Sequence, residues 1–178
     1  SSDLDLTSNK LTQIGKTLPA SSLMFAKFSP DGKKVAYVSE HNLYIEDLAT
    51  NMIKKLTSDG TRKLINGTFD WVYEEEFGLA QGWEWSHDSK KIAYINYLQE
   101  IQVLTVASGD IVTIDKTDIL PYPALQGFRM NWSSDNNWIA YSKAVENLNT
   151  AIFAYNLPEK KLYQLTSGFY NDAEPVFD

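Results

Sequence analysis

The sequence predicts an all-β fold: β-propeller blades of four antiparallel strands, about three complete blades plus partial strands at both ends. Three observations lead there. A block of aromatic, Asp-centred turn and apolar-Ala-Tyr strand occurs three times. Each block is followed by two further strands of alternating apolar and polar residues. The aromatics that open the blocks recur at blade-like intervals, with 57 residues from Phe28 to Trp85, 47 from Trp85 to Trp132 and 45 from Trp132 to Phe177.

The first block is Phe28-Ser29-Pro30-Asp31-Gly32-Lys33-Lys34-Val35-Ala36-Tyr37. The second is Trp85-Ser86-His87-Asp88-Ser89-Lys90-Lys91-Ile92-Ala93-Tyr94, and the third runs from Trp132-Ser133-Ser134-Asp135 to Ile139-Ala140-Tyr141. Pro, Asp, Gly and Asn suit a tight reversal between two strands. Ala36, Ala93 and Ala140 are expected to be buried with Val35, Ile92 and Ile139. A small residue there lets neighbouring sheets approach while the aromatics fill the gap.

The second halves are Asn42–Leu48 leading to Ile53–Thr57, Ile101–Val106 leading to Asp110–Ile114, and Ala151–Leu157 leading to Lys161–Thr166. The units fall at about 24–60, 82–116 and 128–168, with an insertion over 61–80, together one propeller fragment over 1–178. Residues Leu6–Ile14 resemble the last strand of a blade, and Glu174–Asp178 a first strand. Unpaired edges at such ends invite another chain, so the expected state is a homo-oligomer, most simply a dimer supplying six full blades.

Composition narrows the function. The net charge is −7 with Lys and Arg scattered, which argues against a nucleic-acid partner. No stretch approaches the roughly 20 apolar residues of a membrane helix. Ser1–Asp5 has neither the basic start nor the apolar run of a signal peptide. There are no cysteines, so disulfides, thiolate metal sites and cysteine nucleophiles drop out together. No Gly-x-Ser-x-Gly elbow, close His pair or phosphate-cradling glycine loop occurs, so no catalytic residue, metal or cofactor is expected. His41 and His87 read as turn residues. Asn66-Gly67-Thr68 and Asn131-Trp132-Ser133 fit the glycosylation pattern, which chance often supplies.

The insertion is the distinctive segment: Asn66-Gly67-Thr68-Phe69-Asp70-Trp71-Val72-Tyr73-Glu74-Glu75-Glu76-Phe77-Gly78. On a short helix of one or two turns near Glu74–Phe77, two adjacent carboxylates converge on one target. A cationic amine between them gains charge-assisted hydrogen bonds, and the aromatics wall the site.

Asp70–Glu76 resembles the double-glutamate motif of the dipeptidyl peptidase IV family, and the likeness covers about residues 4–95. The resemblance implies an eight-bladed propeller capping an α/β-hydrolase domain. It implies that Glu75 and Glu76 grip the free N-terminal amine of a peptide, with Tyr73 and Trp71 beside them. The cut then falls after the second residue, usually Pro or Ala. The partners implied are a peptide N-terminus and the hydrolase domain or further blades. The compartment implied by a bacterial origin is periplasmic or extracellular.

From about 127 to 178 the sequence is more similar to the propellers of tricorn-type proteases, which guide peptides and carry no catalytic residues. The segment Ile95–Glu100 departs from the Arg-, Asp-, Glu- and Pro-rich stretch the first family has there. A fusion or excised fragment, acting as an inactive scaffold, and a tricorn-like interaction module therefore remain as alternative readings.

Overall fold

The computed structural model describes residues 2–5, 10–19, 22–68, 82–96, 100–116, 130–147 and 149–178. Among them every regular element is a strand. The first two, β1 (Ser2–Asp5) and β2 (Lys10–Gln13), form an antiparallel hairpin. Three four-stranded antiparallel sheets follow, each a simple meander. The first holds β3 (Met24–Phe28), β4 (Lys34–Ser39), β5 (Asn42–Asp47) and β6 (Ile53–Lys55). The second holds β7 (Trp83–Trp85), β8 (Lys91–Ile95), β9 (Glu100–Thr105) and β10 (Ile111–Lys116). The third holds β11 (Asn131–Trp132), β12 (Trp138–Ala144), β13 (Thr150–Asn156) and β14 (Lys161–Gln164).

The sheets stack face to face because their strands alternate. In β8, Ile92 and Tyr94 join Trp83, Trp85, Ala36, Val38, Leu43 and Ile45 in the core between the first two sheets. Ala93 and Ile95 point the other way, into the core with Trp132, Ile139, Tyr141 and Phe153 of the third sheet. Ala36, Ala93 and Ala140 are all buried, as are Val35, Ile92 and Ile139. The far face of the first sheet (Val35, Tyr37, Tyr44) is covered by Ile14, Leu18 and Leu23. Glu46, also buried there, accepts a hydrogen bond from the Gly15 amide at 2.7 Å.

The recurrent turn has one geometry in all three sheets. The hydroxyls of Ser29, Ser86 and Ser133 donate to Asp31, Asp88 and Asp135 at 2.6, 2.7 and 2.5 Å. Those same hydroxyls accept from the amides of Lys34, Lys91 and Trp138 at 3.0, 2.9 and 2.9 Å. Each Asp then takes the amide two residues on, at Lys33, Lys90 and Asn137. The position after the Asp needs the left-handed backbone, with φ of 69°, 62° and 61° at Gly32, Ser89 and Asn136. The two side chains that accept this conformation reach the preceding sheet: Ser89 Oγ accepts from the Asp31 amide and Asn136 Oδ1 from the Asp88 amide, both at 3.1 Å.

Two more contacts repeat across the stack. The indole N–H groups of Trp85 and Trp132 donate to the carbonyls of Lys27 and Glu84, one sheet back, at 3.3 and 3.4 Å. The second junction is closed farther out, where Asp115 accepts from Tyr141 Oη at 2.7 Å and from Lys143 Nζ at 2.9 and 3.0 Å. A bulge between Thr113 and Asp115 accompanies this reach.

The ends differ from the sequence expectation in detail. The N-terminal element is a two-stranded hairpin where one last strand was expected, because Ser2–Asp5 supplies β2 with a ladder partner. Residues 171–178 form no strand, where a first strand over Glu174–Asp178 was expected. The expected helix near Glu74–Phe77 falls outside the described residues.

Candidate functional site

The insertion grows from the junction of the first two sheets, at the end opposite the Ser-Asp turns. After β6 the chain turns at Thr61, whose carbonyl and hydroxyl both accept from the Leu64 amide. Ile65 is buried, and Asn66 then enters a ladder that crosses the junction. The Asn66 amide donates to the His41 carbonyl, in the tip between β4 and β5, at 3.1 Å. Asn66 also forms an isolated bridge with Asn96, just after β8. The Gly67 amide donates to the Ile95 carbonyl, the Ile95 amide to the Gly82 carbonyl, and the Gly82 amide to the Gly67 carbonyl, at 3.0, 2.9 and 3.0 Å. The departing and returning stems of the insertion are therefore bonded to each other and to the end of β8.

Gly67 is required here. Its φ is 76°, and a Cβ would sit 3.0 Å from Leu43 Cδ2 and 3.3 Å from Trp83 Cδ1. Gly60 is required by close approach instead, because a Cβ would run into the His41 carbonyl.

Side-chain amides finish the root. Asn42, buried, accepts from Thr57 Oγ1 at 3.1 Å and from the Gly60 amide at 2.9 Å, fixing the path out of β6. Asn66, with no exposed surface, donates through Nδ2 to Asp59 Oδ1 at 2.9 Å, while its Oδ1 finds no hydrogen-bond partner among the described residues. Asn96 donates to Glu100 Oε2 and accepts from the Glu100 amide, both at 3.0 Å. Asp59 and Glu100 both act on the buried Tyr94 hydroxyl. Burial pushes its pKa up, and the two carboxylates push it further in the same direction. The root is thus an acidic, polar seam set into an apolar junction.

Trp71, Tyr73, Glu75 and Glu76 lie outside the described residues. Thr68 and Gly82, between which they run, are both buried. Asn42, Thr57, Asn66 and Asn96 carry the root, and none of them stood out in the sequence except Asn66, as a glycosylation pattern. The acceptor nitrogen of that pattern is the one bonded to Asp59. His41 has φ of 65° in the tight turn after Glu40, and His87 is exposed with Nε2 3.1 Å from the Trp132 carbonyl. Among the described residues no group of His, Asp and Glu is arranged to hold a metal ion.

The comparisons with known proteins agree with this architecture. A "Probable dipeptidyl-aminopeptidase B" of Talaromyces marneffei is 37% identical over 78 residues, 43% of this chain and 9% of that protein. Its counterpart in Arthroderma benhamiae is 36% identical over 93 residues, 51% of this chain and 10% of that protein. The chain thus spans about a tenth of the length of these curated relatives. Among solved structures, Porphyromonas gingivalis dipeptidyl peptidase 4 superposes with a TM-score of 0.73 at 20% identity, over 92% of this chain and 28% of that one. TolB from Acinetobacter baumannii superposes with a TM-score of 0.61 at 16% identity, over 98% of this chain and 39% of that one. Likeness at such identities speaks for the fold alone. Residues 3–125, which include all of the first two sheets and the insertion between them, match the dipeptidyl peptidase IV (DPP IV) N-terminal region, and the chain belongs to that family.

Proposed function

We propose that the chain docks the free N-terminal amine of peptides for a dipeptidyl peptidase, with Glu75 and Glu76 as the anionic grip and Trp71 and Tyr73 as its walls. The observation that carries the reading is where the insertion is rooted. Its stems leave and return through the bonded pair Gly67 and Gly82, beside Asp59 and Glu100, at the junction of two sheets. Family membership over 3–125 supports the same reading. An ammonium group held by two carboxylates gains charge-assisted hydrogen bonds, and neighbouring negative charge favours its approach.

Docking is separate from bond cleavage, which needs an activated nucleophile. In this reading the nucleophile belongs to an α/β-hydrolase domain that receives the docked peptide, and the propeller supplies only the register of the cut. Titration calorimetry with Gly-Pro dipeptide tests it. Saturable heat is expected for the wild type, lost with the N-acetylated dipeptide and with Glu75→Gln/Glu76→Gln. Equal heats from the wild-type and double-Gln chains would leave the chain as a scaffold without a docking role.

A further inference from the structure

The root of the insertion concentrates its contacts on one residue. Asn66 is fully buried, yet it touches three separate segments of chain. Its amide holds the turn at His41, its backbone is bridged to Asn96, and its side chain holds Asp59 at 2.9 Å. The first and third of these belong to the first sheet and its exit, while the second lies just after β8 of the next. The following residue, Gly67, bonds both to Ile95 and to the returning stem at Gly82. A displacement of Asn66 would therefore move both stems together relative to the second sheet. The polar groups it commits are out of reach of water, so a lost partner is not replaced by solvent.

We propose that Asn66, with Asp59 as its carboxylate partner, is a positioning residue for the docking segment: the pair fixes where residues 69–81 leave and re-enter the sheet junction. It does not touch the bound amine. The inference rests on the docking reading for what the segment does, and on the described stems for how it is held. Docking through two adjacent carboxylates depends on their stance, because charge-assisted hydrogen bonds weaken as distance and angle depart from their short, aligned geometry.

Two measurements separate the outcomes. Amide hydrogen exchange reads the stems whatever the segment binds. Asn66→Asp sets two carboxylates against each other, and exposed Asp59→Ala removes the partner while leaving the buried site intact. Each should raise exchange at Gly67, Gly82 and Ile95 by roughly tenfold or more, with the third sheet unchanged. The swap Asp59→Asn/Asn66→Asp restores a hydrogen bond with reversed polarity and should bring exchange back. Unchanged exchange at the stems in Asp59→Ala, or loosening that spreads evenly over all three sheets, overturns the proposal. Calorimetry with Gly-Pro dipeptide then reads the consequence. Affinity should fall about tenfold in Asp59→Ala and recover in the swap. A wild type that gives no heat while its stems respond as stated overturns the docking reading and leaves the positioning of the stems standing. Full-strength binding with loosened stems overturns the positioning role.

Discussion

Raising the pH should destabilise this protein through tyrosines that the sequence repeats place in its core. Tyr37, Tyr94 and Tyr141 follow the three recurring alanines and are at most 1% exposed. Burial raises the pKa of each hydroxyl, and nearby carboxylates add to it: Glu46 at Tyr37, Asp59 and Glu100 at Tyr94, Asp115 at Tyr141. In the unfolded chain the same phenols titrate near 10.0. A folded pKa above the unfolded one means the contribution to stability is complete below pH 10 and is lost as pH rises beyond it. Each tyrosine should remove about 1.4 kcal/mol of stability per pH unit above that point, while it stays protonated in the folded state.

Tyr141→Phe isolates one of them. At about pH 8 the variant loses the 2.7 Å hydrogen bond to Asp115. A bond to a charged acceptor is worth ~1.5–3 kcal/mol. Asp115 keeps both contacts to Lys143, so a loss of about 1.5–2 kcal/mol, the lower end of that range, is expected. Above pH 10 the variant has one phenol fewer to ionise, so its stability falls less steeply. The two curves should meet roughly one unit above pH 10. Urea unfolding midpoints at a series of pH values, with phenolate absorbance followed in parallel, give both slopes. Parallel stability curves through pH 10 would refute the reasoning, because they would mean that Tyr141 ionises in the folded protein.

The other predictions concern packing and turn chemistry. Ala93→Leu puts a large side chain into the core between the second and third sheets and should destabilise by ~1–3 kcal/mol in urea unfolding, with an unchanged midpoint counting against the register. Ser86→Ala leaves the Lys91 amide without its hydroxyl acceptor and removes the donor to Asp88, for a loss of about 1–3 kcal/mol read the same way. The repeated turns also set an acid limit. The Ser29 hydroxyl and the Lys33 amide hold Asp31 below its ordinary pKa, and the Ser133 hydroxyl and the Asn137 amide do so for Asp135. At Asp88 partial burial opposes ionisation, but the Ser86 hydroxyl and the Lys90 amide outweigh it. A depressed folded pKa contributes stability above the unfolded value of 3.8 and loses it as pH falls below. Acid unfolding of the wild type should therefore steepen below about pH 4, and Ser86→Ala should flatten it.

The sheets were legible because their information is local. Aromatic, Ser-x-Asp turn and apolar-Ala-Tyr strand are contiguous, and alternation of period two tells which residues face a neighbour. The residues after Leu6 betrayed the second strand of the N-terminal pair, but Ser2–Asp5 is too short and polar to announce its partner strand. Glu174–Asp178 has the composition of a first strand, and composition cannot supply the ladder that makes one. The insertion was legible as chemistry through its three glutamates. Its root was not: His41, Asn66 and Asn96 lie far apart in sequence and meet only through long-range hydrogen bonds. An Asn before a Gly reads as a turn or a glycosylation pattern until the contact of buried Asn66 with Asp59 is seen. Asp115 was silent for the same reason, since its partners Tyr141 and Lys143 lie on the next sheet.

The contacts of Ser89, Asn136, Trp85 and Trp132 all run from one sheet to the one immediately before it, and none skips a sheet. Such a stack behaves as a chain of couplings with a memory of one neighbour. A blade detached at one end uncovers a single face of the next and leaves that blade's own ladder closed. Mechanical load applied along the stack would accordingly be released in steps of one sheet, each step breaking the indole contact, the turn contact and the apolar packing of one junction together. The same locality sets what a replacement blade must carry: an indole and a left-handed polar residue backward, a carbonyl and an Asp amide forward, and apolar faces that match its neighbours.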